Sequence, residues 1–270
     1  MKKTISSEFP RFYDPLVQAM KNIPLMIAFS RRDIKIQYAQ TILGVVWIVL
    51  QPLIATAIYT IFFNHWVKLD SGMMPFPIYV LTGFIIWQYF SFLVINSGTS
   101  LIQNQKIITR IYIPKLVAPF SRSFAGLLSI CVCILLLIAL MIWYSFTPSI
   151  TILLLPVFIL GIMITGLSLG IWLCALSFRY RDLNHLAGII IGYGIWVTPV
   201  FYPTNIIPEN LSYLLYFNPV AGIIEGVRWS VSGGTLPEAG YLLGIIPVVI
   251  LLITGLLYFN RVDRKIADLL

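Results

Sequence analysis

Charge is scarce in this 270-residue sequence: 18 Lys+Arg and 10 Asp+Glu make up 10% of it, against about 25% in an ordinary soluble domain. That deficit excludes a typical water-soluble enzyme and a disordered chain alike. Histidine occurs only twice and cysteine three times. Cys131, Cys133 and Cys174 all sit in apolar stretches, and the first two point to different faces of a helix, so no disulfide is expected. There is no HExxH, no CxxC and no GxxxxGK[ST], so the sequence offers no motif for zinc, redox chemistry or direct ATP binding. The basic start MKKTISSEFPRFYDP leads into no apolar run, and no cleaved leader is expected.

What is present is apolar, 59% hydrophobic with a mean hydropathy of +0.91. Five stretches contain no Asp, Glu, Lys or Arg: 36–67, 71–105, 123–178, 183–208 and 239–260. A helix crosses a bilayer in about 20 residues, so the third stretch holds two crossings, divided at the turn 145–149. The sequence therefore predicts an all-α membrane protein with six transmembrane helices, near 41–64, 76–97, 123–144, 150–176, 185–203 and 239–259. Residues 1–40 form an interface segment, 41–260 the six-span bundle and 261–270 a tail, all within one transmembrane domain. With six spans, 16 basic residues fall on the side of the termini and only Lys68 and Arg228 on the other. The positive-inside rule then places both termini in the cytoplasm. The net charge of +8 is explained by this orientation, without nucleic acid.

Local chemistry refines the plan. Leu16, Val17, Met20 and Ile23 recur at helical spacing up to Pro24, and Leu25, Met26 and Phe29 precede Arg31, Arg32, Asp33 and Lys35. This predicts an amphipathic helix lying in the membrane interface with its basic residues among headgroups. The basic loop 98–122 contains a short helix capped by Thr99 or Ser100 and stopped by Pro114. Residues 204–237 are apolar but too short to span, and Asn218-Pro219 is a helix start. Two short re-entrant outer helices are expected there, with Glu225 and Arg228 paired three residues apart. Gly166-Leu167-Ser168-Leu169-Gly170 fits a nucleophile elbow, but with no histidine or acid nearby it reads as close helix packing. Gly188/Gly192, Gly222/Gly226 and Gly240/Gly244 repeat that spacing. The spans hold no acid at mid-depth, which disfavours an ion-coupled transporter. His65 and His185 lie at span ends and read as interfacial. Trp87, Tyr89, Tyr193, Trp196 and Tyr202 fall in two spans, where aromatic faces would suit sugar rings.

Four segments together resemble the membrane subunit of ABC exporters for O-antigen, capsular polysaccharide and teichoic acid. They are Arg31-Arg32-Asp33-Ile34-Lys35-Ile36-Gln37-Tyr38; Thr41-Ile42-Leu43-Gly44-Val45-Val46-Trp47 running into Leu50-Gln51-Pro52; Arg179-Tyr180-Arg181-Asp182-Leu183 with the later Pro199-Val200 and Tyr202-Pro203; and the run from Asn218-Pro219 through Glu225 to Arg228-Trp229. The resemblance implies a homodimer above two copies of a separate P-loop ATPase, which holds ATP and Mg while this chain carries no cofactor. The cargo it implies is a lipid-linked polysaccharide, moved through a channel near spans one and five. By the same resemblance Leu101, Asn104, Lys106, Ile107, Arg110 and Tyr112 belong to a coupling helix within 98–115. Arg31, Arg32, Asp33, Lys35 and Tyr38 belong to the interface helix, and Arg179, Arg181 and Asp182 to a cytoplasmic loop. Tyr59, Trp87, Tyr89, Tyr193, Trp196 and Tyr202 would contact glycan, and Asn218, Pro219, Glu225 and Arg228 would form an outer gate. The rival reading is an intramembrane glycan-modifying enzyme, for which Asp33, Asp182 and His185 are the only candidates on the cytoplasmic side.

Overall fold

The structure, a computed structural model, describes residues 14–269 apart from 40, 45 and 112. Tyr112 and the side chain of Tyr38 lie outside the described part. Among the described residues all regular structure is helical. The elements are α1 (Asp14–Lys21), α2 (Ile23–Tyr38), α3 (Val46–Thr60), α4 (Phe76–Gln103), α5 (Gln105–Ile108), α6 (Val117–Trp143), α7 (Leu155–Ser177), α8 (Asp182–Val197), α9 (Glu209–Tyr216), α10 (Pro219–Ser232) and α11 (Ile245–Leu269). A π-helical turn, Ile61–Trp66, prolongs α3, and 3-10 turns at Ile150–Leu154 and Ala239–Gly244 lead into α7 and α11. Five helical segments are long and apolar enough to cross a membrane: Val46–Trp66, Phe76–Gln103, Val117–Trp143, Ile150–Ser177 and Ala239–Val262. The fifth stretch foreseen as a span contains α8, which has 16 residues, about 24 Å at 1.5 Å per residue. Beyond α8 the chain turns through Thr198, Val200 and Phe201, all buried.

Helix α4 is the axis of the bundle and packs against α3, α6, α7, α8 and α10. Glycines on α7 set the closest of these contacts. A Cβ on Gly166 would lie 2.8 Å from Leu93 Cβ, and one on Gly170 would lie 2.7 Å from Ser97 Cβ and 3.1 Å from the Leu93 carbonyl oxygen. Ser168, between them, donates to the Thr165 carbonyl at 2.7 Å. The Gly-x-Ser-x-Gly run is thus the face on which α7 meets α4. Gly170→Leu is expected to destabilise the protein by about 1–3 kcal/mol through overpacking, read as a lower unfolding temperature in detergent. An unchanged midpoint would sink this account of the contact. Gly226 and Gly244 are also tightly covered, by Phe158 and Pro219, whereas among the described residues nothing lies within 4 Å of a Cβ at Gly188 or Gly192.

The two ends of the bundle differ. At one end α1, α2, α5 and the adjacent ends of α4, α6, α7 and α11 enclose a satellite core that includes Met26, Leu101, Leu116, Ile171, Cys174 and Phe259. This end carries Arg31, Arg32, Lys35, Lys106, Arg110, Arg122, Arg179 and Arg181. At the other end α9 and α10 pack over the starts of α4, α7 and α11. The described charges there are Lys68, Asp70, Glu225, Arg228 and Glu238, so acids outnumber bases.

Two expectations need correcting. The 98–122 loop is shorter than foreseen, because α4 runs to Gln103 and α6 begins at Val117. Thr99 and Ser100 cap nothing: each lies inside α4 and returns its hydroxyl to the preceding turn, onto Ile95 at 3.1 Å and Ser97 at 2.6 Å. Hydroxyl residues satisfy themselves this way inside apolar helices as readily as they cap polar ones.

Candidate functional site

At the basic end, charge is held inside the protein rather than spread over its surface. Asp33 faces inward from α2 with a side chain only 6% exposed. Its Oδ1 accepts from Arg32 Nη2 at 2.6 Å, and its Oδ2 lies 3.0 Å from Arg122 Nη1. Arg122, in the second turn of α6, also donates to Gln103 Oε1 at 2.7 Å. Arg32 reaches past Asp33 to donate to Asn104 Oδ1, while its guanidinium lies 4.7 Å from the centre of the Phe29 ring. One turn earlier, Ser30 donates to the Ser121 carbonyl on α6. Helix α2 is thereby latched to α6 and to the end of α4.

Asn104 is where this latch meets α5. Its amide nitrogen donates to the Ser100 carbonyl at 2.8 Å. Its own carbonyl accepts from Ile107 N and Ile108 N, each at 3.0 Å. The residue thus closes α4, opens α5 and is gripped by Arg32. Of the foreseen coupling residues, Lys106 and Arg110 are exposed and Ile107 half-buried, while Leu101 and Asn104 are buried. Of the foreseen interface charges, Arg31 and Lys35 are exposed, but Asp33 is buried and Arg32 partly so. Of the basic residues in this run, only Arg32 turns partly inward, its side chain 33% exposed. The charges of the run alternate in direction, and the inward pair meets partners on α6 and α4. Arg179, Arg181 and Asp182 are exposed on the α7–α8 turn, as is His185.

The opposite end has its own buried cation. Asn218 caps α10, its Oδ1 accepting from Val220 N at 3.0 Å and Ala221 N at 3.4 Å, with Pro219 in the first turn. Two turns on, Arg228 is 3% exposed. Its Nη1 donates to Glu225 Oε1 at 2.8 Å and to the Pro199 carbonyl at 2.9 Å, and its Nη2 donates to the Val200 carbonyl at 2.7 Å. The guanidinium lies 3.6 Å from the centre of the Tyr79 ring. All four foreseen gate residues thus belong to one helix, and Arg228 ties it to the turn after α8.

The aromatic residues divide. Trp87 and Tyr89 are buried in the bundle, and Tyr89 donates to the Ser123 carbonyl at 3.2 Å. Within this chain they are packing residues. Tyr59 stacks on Phe201 at 3.5 Å and meets Trp196 edge-on at 5.9 Å. Tyr202, half-buried, donates to the Trp196 carbonyl at 2.9 Å. Tyr193 and Trp196 are exposed on α8, at 72% and 50%, beside Gly188 and Gly192. Sequence reasoning counted Arg122 only as a loop charge and passed over Gln103, Ser30 and Tyr79. The available signal was an arginine in the first turns of an otherwise apolar helix, where burial demands an acidic partner.

No group of three or more potential metal ligands occurs among the described residues. Asp33 is engaged with two arginines, which removes it from the acid and base roles of the enzyme reading. A profile described as "ABC-2 type transporter" matches residues 24–231. The chain is 28% identical over 248 residues to an O-antigen export system permease protein RfbA of Klebsiella pneumoniae, covering 91% of this chain and 95% of the relative. It is 25% identical over 231 residues to an RfbA of Myxococcus xanthus, with 85% and 88% covered. It is 23% identical over 247 residues to the polysialic acid transport protein KpsM of Escherichia coli, with 89% and 95% covered.

Proposed function

The chain belongs to the ABC-2 type transporter family, and from that premise we propose that it is the channel-forming permease of an ATP-driven exporter for a lipid-linked polysaccharide. It is a transport subunit, and ATP with its Mg ion is bound and hydrolysed by a separate P-loop ATPase. The working unit is a homodimer with two such ATPases in a bacterial inner membrane, both termini cytoplasmic. All 270 residues form one transmembrane domain. In this arrangement α8 and the turn after it serve as the sixth membrane element, and α9 and α10 are the re-entrant pair at the outer end.

The carrying observation is the contrast between a charge-poor bundle and a basic end where α2, α4 and α5 are clasped together. A polymer slides through a path without fixed charges, and a mechanical input needs a rigid seat. The exposed apolar face of α8, with Ile189, Tyr193, Trp196 and Val197 and its uncovered glycines, supports its placement against a second copy or the channel. Purification through this chain after co-expression with adjacent reading frames tests the reading. A P-loop ATPase with hydrolysis activity should accompany it, and its absence would overturn the proposal. Reversing both exposed cations of the α4–α6 connection, Lys106→Glu with Arg110→Glu, is expected to cut export about tenfold or more, equivalent to at least 1.4 kcal/mol of coupling. The membrane dimer should remain intact, so chemical cross-linking and an export assay decide the point. Undiminished export removes the coupling role.

A further inference from the structure

A pocket of about 420 Å³ opens at the end of the bundle that carries α10. It falls within the roughly 300–1,000 Å³ typical of small-ligand sites. Four separate parts of the chain build it: the loop before α4 with the first turn of that helix at Tyr79, Thr204 after α8, the later turns of α10 and the segment from Gly234 to Tyr241. Trp229 and Tyr241 supply partly exposed aromatic surface, and Glu225 and Glu238 supply carboxylates. Tyr216 meets Tyr241 edge-on at 5.3 Å and donates its hydroxyl to Glu238, fixing the rim acid. The hydrogen bond to Glu238 favours the protonated phenol and raises the Tyr216 pKa above its ordinary value.

The lining's one cation, Arg228, is not available to a ligand. Its two terminal nitrogens are committed to Glu225 and to two backbone carbonyls, and its flat face is covered by Tyr79. The pocket therefore offers aromatic faces and carboxylate acceptors, with more negative charge than positive. Aromatic faces take sugar rings, and carboxylates accept from hydroxyl or ammonium groups. An added carboxylate, phosphate or sulfate would meet like charge at close range.

Taking the export reading as its premise, we infer that this pocket is an exit-side glycan subsite selecting neutral or amino sugars and rejecting acidic ones. The occupant is a short stretch of the cargo as it leaves the bundle. This narrows the cargo to a class that the charge-poor spans do not specify.

The test uses the intact complex in nanodiscs, with chitotriose as the neutral probe, a glucosamine trimer as the amine probe and a sialic acid trimer as the acidic one. Saturation-transfer NMR and titration should show saturable binding of the first two and none of the third. Trp229→Leu should remove binding of both. Glu238→Gln, at an exposed rim position, should weaken the glucosamine trimer about tenfold and leave chitotriose little changed. Absence of saturable binding, equal binding of the sialic acid trimer, or indifference to both variants would each overturn the subsite. Failure of the export premise is separable. It appears as no ATPase bound to the purified chain, whereas failure of the subsite alone leaves a hydrolysing complex that ignores the sugars. Unfolding curves on both variants show that lost binding reflects the pocket and not a collapsed protein.

Discussion

Asp33→Asn should be among the most damaging single substitutions in this protein, although Asp33 lies in a segment rich in exposed charge. The replaced carboxylate sits between Arg32 at 2.6 Å and Arg122 at 3.0 Å, and the side chain of Arg122 is only 8% exposed. Removing one partner of a buried pair costs about 3–5 kcal/mol, because the other charge remains desolvated. On the scale of soluble domains this corresponds to a fall of order 10 °C in the unfolding midpoint. Arg122→Gln should cost less, because Asp33 keeps Arg32 as a partner at 2.6 Å. The double variant should recover most of the loss, because the one cation then left without its carboxylate, Arg32, is 33% exposed and can be solvated, and a double-mutant cycle on the unfolding midpoints measures the coupling. Export separates scaffold from mechanism. With both charges gone, α2 is held on α6 only by packing and the Ser30–Ser121 bond, so a stable double variant should still hydrolyse ATP while exporting poorly. Full recovery of export would reduce the pair to a structural one. Additive losses would mean that the two residues do not interact as described.

The contrast between Arg31 and Asp33 shows what hydropathy can and cannot tell. Charge-free stretches identified the long helices because a bilayer demands an uninterrupted apolar run, and the run does not depend on its neighbours. Pro24 marked the break before α2, and Asn218-Pro219 the start of α10, because caps and proline act locally. The glycine pairs other than Gly188/Gly192 announced close packing for the same reason. Partners distant in sequence left no such mark. Nothing around Asp33 says that Arg122 waits on α6, so the run reads as a helix lying in the membrane interface. Thr99 and Ser100 were ambiguous because a hydroxyl caps a helix or bonds back within one equally well. The stretch 183–208 looked like a full span because apolar residues continue past Val197. There, however, they line a buried turn, with Val200 and Phe201 fully enclosed. Composition does not distinguish a path from a core, so it does not say that Trp87 and Tyr89 are buried in the bundle.

Arg228 offers the second large effect, at the opposite end. Its guanidinium holds two carbonyls of the 199–200 turn, one carboxylate and one aromatic face at once. The turn is also held from beneath, since a Cβ on Gly83 would lie 2.4 Å from the Val200 oxygen. Arg228→Met deletes every polar contact and leaves two carbonyls without their donor and Glu225 without its cation. Unsatisfied buried acceptors cost about 1–3 kcal/mol each, so severe loss of folded protein is expected. Glu225 contributes less to that sum, being 21% exposed and able to draw on solvent. Arg228→Lys keeps the charge but not the fork: one ammonium cannot reproduce the planar donor set or its stacking. Glu225→Gln keeps an oxygen that can still accept from Nη1. The expected order of destabilisation is therefore Arg228→Met, then Arg228→Lys, then Glu225→Gln, measured as unfolding midpoints in a common detergent. If the lysine variant melts with the wild type, charge alone holds this end of the bundle. If Glu225→Gln is the worst of the three, the ion pair outweighs the carbonyl clamp, and α10 is anchored through its own helix rather than through the turn after α8.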